Sequence, residues 1–280
     1  MGAKDILAIV RGDEIDGSAI AFAEKLAAQN DVFLTALLVG WMPPVPAFTE
    51  NWVIDPDWSD LVRDSQKDLD KARGLLEARL NRTIEHSAVV SLFAEIGAAR
   101  SALAPYPRHA DVTIVSAPDR STDSLGRELV IEASLFDSGR AIIVVPPNWR
   151  AQDIGRRVLV AWNAGREAAR ALGEAVSLLR PDAQVSVATV DAKPSDEGHG
   201  EWPGVDITTH LARHGFKADL RNLDSLGGSV AKTLIDNAVA MGADLIVMGG
   251  YGRSRLSEFL LGGATREMLS SSPVPVLMAH

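Results

Sequence analysis

Short apolar runs alternate along the chain with longer segments of mixed polarity. Each run has the length of a β-strand and is apolar at successive positions, which is typical of strands that helices cover on both faces. The runs occupy residues 6–10, 32–39, 112–115, 141–145, 158–162, 185–190, 244–248 and 274–278.

The segments between the runs have the spacing of amphipathic helices. Apolar residues recur every three or four positions in two of these segments: Ala19, Phe22, Ala23, Leu26 and Ala27, and later Ala168, Leu172, Ala175, Val176 and Leu179. Strands that alternate with helices predict βαβ units and an open, mainly parallel sheet. We therefore expect a Rossmann-like α/β fold.

The pattern occurs twice. Residues 5–12 align with residues 157–164 at an offset of 152, and residues 110–116 align with residues 243–249 at an offset of 133. A repeat of this kind indicates two copies of one structural unit. The first copy then carries 19 extra residues between its second and fourth strands.

We assign the extra residues to positions 41–60, which are rich in tryptophan and proline and include Trp41 and Trp58. This insert is expected either to bind a partner or to pack on its own domain, and the sequence does not separate the two. A proline-containing linker follows the first copy. We predict tandem domains at residues 1–147 and 155–280.

The composition excludes several classes of function. The chain has 280 residues, with 28 basic and 37 acidic side chains and a net charge of −9, which opposes binding to nucleic acid or to an anionic membrane. It contains no cysteine, so thiol chemistry, disulfides and iron–sulfur clusters are excluded. No run approaches the length of a membrane-spanning helix. We expect a cytoplasmic protein.

A glycine-rich segment follows the run at 244–248. It places Met248 and Gly249 before Gly252, and after nine further residues come Gly262 and Gly263. Glycine lets backbone N–H groups approach an anion, and the N-terminus of a following helix attracts negative charge. At the carboxyl end of a parallel strand, this arrangement favours phosphate binding, although a plain surface turn remains the alternative. The segment has neither the Walker A lysine nor the G-x-G-x-x-G of dinucleotide-binding domains.

These features together resemble the universal stress protein family, over the whole chain as a tandem pair. The resemblance rests on the first strand ending near Asn163, the motif at residues 243–249, the G-2x-G-9x-G loop and the closing residues 272–278. It implies two domains of the adenine nucleotide alpha hydrolase-like class that associate through their last strands. It also implies that two tandem chains pair as a homodimer.

The resemblance assigns a nucleotide site to the second copy. It implies ATP, or another adenine nucleotide, held by nine residues: Asn163, Val190, Met248, Gly249, Gly252, Arg253, Gly262, Gly263 and Ala264. Asn163 stands where ATP-binding members carry an acidic residue, and an amide cannot offer a carboxylate to a metal. Val190 matches the position that contacts adenine. A magnesium ion between the phosphates is a further expectation, without an assigned protein ligand.

The first copy departs from the family pattern. Ser116 and Asp119 replace the glycines, Asp123 lies nearby, and Arg11 replaces the acidic residue of the first strand. Two carboxylates beside the site would repel phosphate. We expect that the first copy does not bind ATP in the manner of the family.

Other chemistry has weaker signals. His210 and His214, with Asp206 one turn earlier, have the spacing of a zinc pair, but a solvated helix face is the more common explanation. Ser225 and Ser229 lack the G-x-S-x-G of a hydrolase. The function expected is a nucleotide-dependent sensor or adaptor in stress response, whose protein partners the sequence does not identify. The alternatives are a slow ATPase or phosphotransferase and a module that binds a different small ligand or a protein.

Overall fold

The computed structural model describes residues 2–13, 16–44, 56–118, 124–150, 153–194, 199–250 and 263–280. The first half of the chain contains β1 (Asp5–Val10), α1 (Asp16–Asn30), β2 (Phe33–Trp41), α2 (Pro56–Thr83), β3 (Ser87–Ala94), α3 (Ala99–Leu103), β4 (Val112–Ser116), α4 (Ser124–Phe136) and β5 (Ala141–Val145). Two short 3₁₀ helices, Ile96–Ala98 and Pro107–His109, flank α3.

The second half repeats this order. It contains β6 (Arg157–Ala161), α5 (Arg166–Val176), β7 (Gln184–Val190), α6 (Val205–Arg213), β8 (Lys217–Leu223), α7 (Val230–Ala240), β9 (Leu245–Gly249), α8 (Gly263–Ser271) and β10 (Val276–Ala279). The predicted α/β fold with two tandem Rossmann-like units is confirmed.

The ten strands found in the described parts of the chain form one sheet in the order β3-β2-β1-β4-β5-β10-β9-β6-β7-β8. Every neighbouring pair is parallel except β5 and β10, which pair antiparallel and join the two halves through Val144 opposite Val276. The last strands of the two copies therefore meet within one chain.

Helices cover both faces of the sheet, which explains the continuous apolar runs. Along β1, Ile6, Ala8 and Val10 point to the face covered by α1, α2, α5 and α6, whereas Leu7 and Ile9 point to the face covered by α3, α4, α7 and α8. Among the described residues, no helix combines the length and the apolar content that crossing a membrane requires.

The repeat extends to side chains that hold the strands. In the first half, the carboxylate of Asp111 accepts the backbone N–H groups of Lys4 and Asp5 at 2.6 and 3.0 Å. In the second half, Asp244 accepts those of Gly155 and Arg157, both at 2.8 Å. Burial raises the pKa of Asp244, and these backbone donors oppose the rise. Asp111 and Asp244 are thus equivalent residues, and each holds the start of the first strand of its half.

The extra 19 residues of the first half match the greater length of α2, and of the predicted insert at residues 41–60 only residues 56–60 belong to that helix. The connections before the two helices, residues 42–55 and 191–204, are equally long. The helices themselves differ, since α2 has 28 residues and α6 has 9. Leu69 and Leu80 bury one side of α2, and ion pairs such as Arg73–Glu77 at 2.9 Å lie on its exposed side.

Candidate functional site

A cleft of about 340 Å³ opens at the carboxyl ends of β6, β7 and β9 in the second half. One wall is the first turns of α7, and the rim is the start of α8. Ligands of open parallel sheets bind at this edge, because the loops there leave a crevice between neighbouring strands. The volume lies in the range of small-molecule sites.

The inner part of the cleft is apolar. Ala188 and Val190 line it from β7, Met248 from β9, and Val230 and Leu234 from α7. Apart from Val190 and Val230, these side chains are buried. The surface suits a flat, weakly polar group such as a nucleobase.

The outer part of the cleft is built from small residues. Gly249 ends β9, and Gly263, Ala264 and Thr265 form the first turn of α8. The first turn of a helix has backbone N–H groups without intrahelical acceptors, and they carry partial positive charge. A side-chain atom added at Gly263 would meet no described residue within 4 Å. An anion can approach the rim closely.

Close packing against α5 requires glycine at position 249. A Cβ at this position would lie 2.6 Å from the backbone nitrogen of Ala168 and 2.8 Å from the carbonyl carbon of Glu167. Both atoms belong to the backbone of α5, so no side-chain rotation can relieve the contact. The start of α5 therefore lies directly against the end of β9.

Asn163 lies in the turn between β6 and α5. Its side-chain oxygen accepts the backbone N–H of Gly165 at 2.9 Å, and Ala164 between them has a φ of 55°. This turn commits the amide oxygen to the backbone and leaves the amide NH₂ as the donor side. Asn163 is exposed and lines the cleft.

The structure gathers six of the nine predicted site residues around this one cleft: Asn163, Val190, Met248, Gly249, Gly263 and Ala264. Gly252, Arg253 and Gly262 lie outside the described residues. The part that each residue takes in binding stays a prediction.

Sequence reasoning missed the α7 wall and Trp162, His199 and Thr265, which also line the cleft. The first turn of a helix that follows a parallel strand lies at the carboxyl edge of the sheet. Val230 and Leu234 are in that first part of α7, so their position could have been derived from this rule.

Ser229 has a structural role at the cleft. Its hydroxyl accepts the backbone N–H of Lys232 at 3.3 Å, which caps α7, and it donates to the carboxylate of Glu267 in α8. Ser229 thereby connects the two helices that border the cleft.

The corresponding edge of the first half is filled by charged side chains. Ser116, the counterpart of Gly249, donates its hydroxyl to Asp16 Oδ1 at 2.5 Å. Arg127 donates to the same oxygen at 2.5 Å and to Asp13 Oδ2 at 2.5 Å. The backbone N–H of Arg11 donates to the other oxygen of Asp16. We call these five residues the first-half network.

The first-half network is buried at its centre, where the side chains of Arg127 and Asp16 are only 4% and 3% exposed. Burial disfavours the charge of Arg127, but Asp16 and Asp13 nevertheless raise the pKa of Arg127 above its usual value. Burial and the charge of Arg127 lower the pKa of Arg11. The predicted carboxylates Asp119 and Asp123 lie outside the described residues.

Metal ligands are scarce at both edges. Within the part of the chain that the structure describes, no three His, Asp or Glu residues come together to hold an ion. The rings of His210 and His214 lie close, with centroids 4.5 Å apart, but no third His, Asp or Glu among the described residues completes a site with them. None of the described residues lining the cleft is a carboxylate. A magnesium ion bound there would depend on phosphate oxygens.

Comparison with known proteins agrees with the geometry. Residues 155–280 match the model of the universal stress protein family. A search of curated proteins finds no match. The fold is similar to that of a universal stress protein from Archaeoglobus fulgidus DSM 4304, with a TM-score of 0.72 and 15% identity over 98% of this chain and 95% of that one.

A second solved structure gives the same result. A candidate universal stress protein from Pseudomonas aeruginosa UCBPP-PA14 has a TM-score of 0.59 and 14% identity, over 98% of this chain and 92% of the other. Both likenesses cover both halves of the chain and concern the fold.

Proposed function

Because residues 155–280 match the model of the universal stress protein family, we propose that the second half of the chain binds an adenine nucleotide, ATP above all, in the cleft at the carboxyl ends of β6, β7 and β9. The observation that carries the proposal is the division of this cleft into an apolar inner part and a rim of small residues at a helix N-terminus. The base would contact Val190 and Met248, and the phosphates would lie against Gly249 and Gly263.

The residues present suit such a ligand. Phosphate bears negative charge, the first turn of a helix such as α8 has N–H groups without intrahelical acceptors, and Gly263 itself carries no side chain. The NH₂ group of Asn163 can donate to a ribose oxygen or to an adenine nitrogen. A bound magnesium ion would neutralise phosphate charge, with no described carboxylate at the cleft to hold it.

A charge placed at Ala264 tests the proposal without disturbing the fold. Ala264 is exposed in the first turn of α8, where glutamate is well tolerated because of the helix dipole. Ala264→Glu should weaken ATP binding at least tenfold by repelling the phosphates, and should leave adenosine binding unchanged. Ala264→Gln, of the same size without the charge, should bind both as the native protein does.

The measurement is titration calorimetry of ligand-stripped protein with ATP, AMP, cyclic AMP and adenosine. Absence of saturable ATP binding below about 1 mM, equivalent to about −4.1 kcal/mol, would reject the proposal. Equal loss of ATP affinity in Ala264→Glu and Ala264→Gln would also reject it, because size rather than charge would then matter.

We further propose that nucleotide binding sets the conformation by which the protein acts as a sensor or adaptor in stress response. The hydrogen bond from Ser229 to Glu267 connects α7 and α8 across the cleft, so a ligand between these helices changes the contacts of both. Hydrogen exchange of α7 and α8 should slow when ATP is added, whereas α1 and α4 in the first half should be unaffected. Equal protection in both halves would contradict this part.

Pairing of two tandem chains into a homodimer is also a proposal. Light scattering coupled to size-exclusion chromatography measures the mass directly. A mass near 60 kDa is expected for two chains of 29.9 kDa each, and a mass of one chain would contradict pairing.

A further inference from the structure

A second cavity, of about 550 Å³, lies between α5 and α6. It opens on the face of the sheet opposite α7 and α8, and it shares Trp162 and His199 with the nucleotide cleft. We call it the α5–α6 groove. Its apolar surface comes from Leu172 and Val176 of α5 and Ile207 of α6.

One end of the α5–α6 groove carries basic and imidazole side chains. His210, Arg213 and His214 line it from the last turns of α6, and the two imidazole rings lie 4.5 Å apart. His199 lines it as well. Asp206, the acidic residue of the lining, precedes His210 by four residues and His214 by eight, about 6 and 12 Å along the helix. Arg213 and His214 therefore lie at the end of the groove that is farther from this carboxylate.

The first half shows what occupies the equivalent position between α1 and α2. There the carboxylate of Glu24, only 14% exposed, accepts two hydrogen bonds from Arg79, at 3.0 and 2.7 Å. It also accepts the hydroxyl of Thr83 at 3.0 Å. A carboxylate thus joins the two helices and receives donors from the last turns of α2.

The repeat aligns these residues one by one. The buried positions of α1 and α5 coincide at the offset found for β1 and β6, which places Val176 at the position of Glu24. The strand registers and the fully buried pair Leu80 and Leu211 align α2 with α6. His210 then stands at the position of Arg79, and His214 at that of Thr83.

The second half has therefore kept hydrogen-bond donors on α6 and lost the carboxylate on α5. Valine in place of glutamate turns the α5 wall apolar and leaves the groove open. A ligand that fits must bring its own carboxylate to the His210 and His214 end and an apolar body to Leu172, Val176 and Ile207.

We propose that the α5–α6 groove is a binding site for a small amphipathic carboxylate, whose carboxylate takes the place that Glu24 occupies in the first half. The negative end of the α6 dipole does not prevent this, because α2 receives Glu24 at the same end. The groove and the nucleotide cleft share Trp162 and His199 but are otherwise lined by different residues, and carboxylate binding is proposed independently of nucleotide binding.

Decanoate, used below its micellar concentration, is the probe, and decanol is its uncharged match. Titration calorimetry should find saturable decanoate binding to the native chain and at least tenfold weaker binding of decanol. Val176→Glu, which supplies an internal carboxylate as the first half does, should weaken decanoate binding at least tenfold. Val176→Gln, of equal size, should keep it within threefold.

The thermal unfolding midpoint and ATP titration of each variant show whether the fold is retained. His210→Gln is a second variant that leaves the wall of α5 untouched, and it should weaken decanoate more than decanol. The proposal is overturned if the native chain does not bind decanoate saturably, if decanol binds equally well, or if Val176→Glu and Val176→Gln have the same effect.

Discussion

The two halves of this chain have the same strands in the same register and differ in what lies at the carboxyl edge of the sheet. In the first half, Ser116, Asp16 and Arg127 meet there in a buried ion-pair network. In the second half, Gly249 lies against the backbone of α5, and a cleft remains open beside it. The backbone provides the place for a site, and a few side chains decide whether a ligand can enter it.

The same contrast recurs between the helices on one face. Glu24 and Arg79 join α1 to α2, whereas Val176 and His210 leave a groove between α5 and α6. In the first half, Arg79 and Arg127 pair with carboxylates of the same half. In the second half, hydrogen-bond donors and apolar side chains line two cavities. This contrast supports the proposal that the second half binds a ligand and that the first half has a structural role.

Removing Arg127 should have the largest effect. Arg127→Ala leaves Asp16 buried without its cation, and breaking a buried ion pair costs about 3–5 kcal/mol. Urea unfolding measures the loss. The control is Arg63→Ala, because the Arg63–Asp60 pair at 2.7 Å is exposed and its removal should leave the unfolding midpoint nearly unchanged.

ATP affinity of folded Arg127→Ala should equal that of the native chain, since the network belongs to the other half. A loss of stability no larger than that of Arg63→Ala would show that the first-half network is not a structural core. If folded Arg127→Ala bound ATP more weakly than the native chain, the first half would influence the nucleotide cleft, and the proposed division of roles between the halves would be wrong.

Exchanging the residues at the end of β4 and β9 should have an intermediate effect. Gly249→Ser brings a Cβ to 2.6 Å from the nitrogen of Ala168, and overpacking of this kind costs about 1–3 kcal/mol. Moving α5 to relieve the contact should also weaken ATP binding. The measurements are urea unfolding and titration calorimetry.

The reciprocal change is Ser116→Gly, which removes the hydroxyl that donates to Asp16 and should cost about 1–3 kcal/mol. ATP affinity should not change in this variant. If Gly249→Ser were as stable as the native chain and bound ATP normally, the close approach of α5 to β9 would not be required for the site.

Shortening the apolar wall should have the smallest effect. Val230→Ala removes two methyl groups at the edge of the cleft, so affinity for ATP and for adenosine should fall together, by about three- to fivefold, because each methyl-sized group contributes about 0.8 kcal/mol when fully buried and Val230 is partly exposed. The matched control is Val239→Ala, in the same helix and also exposed, which should change neither affinity. A loss confined to ATP would mean that Val230 lies near the phosphates.

The sequence predicted the fold well where strands are covered on both faces. Eight continuous apolar runs correspond to strands, and the repeat between residues 5–12 and 157–164 appears as equal register in the sheet. The runs did not include β3 and β8, the two edge strands. In β8, Lys217, Asp219 and Arg221 interrupt the apolar pattern because that edge is partly exposed.

The site could be predicted only in part. Glycine spacing pointed to the edge of the sheet where the cleft lies, since a backbone contact with α5 requires glycine at position 249. The first-half network could not be found in this way, because Asp16 and Arg127 are 111 residues apart and nothing local to either residue indicates the other. The sequence did not indicate the length of α2, because the tryptophan and proline residues at positions 41–60 placed the insert mainly in the connection before that helix.

The central claim is that one chain holds one nucleotide, in its second half. Equilibrium dialysis of ligand-stripped protein against ATP measures the number bound per chain, and it should give one for the native protein and for Ser116→Gly. The number for Ala264→Glu should fall toward zero at the same ATP concentration. Two nucleotides per chain, or one that persists unchanged in Ala264→Glu, would contradict the account.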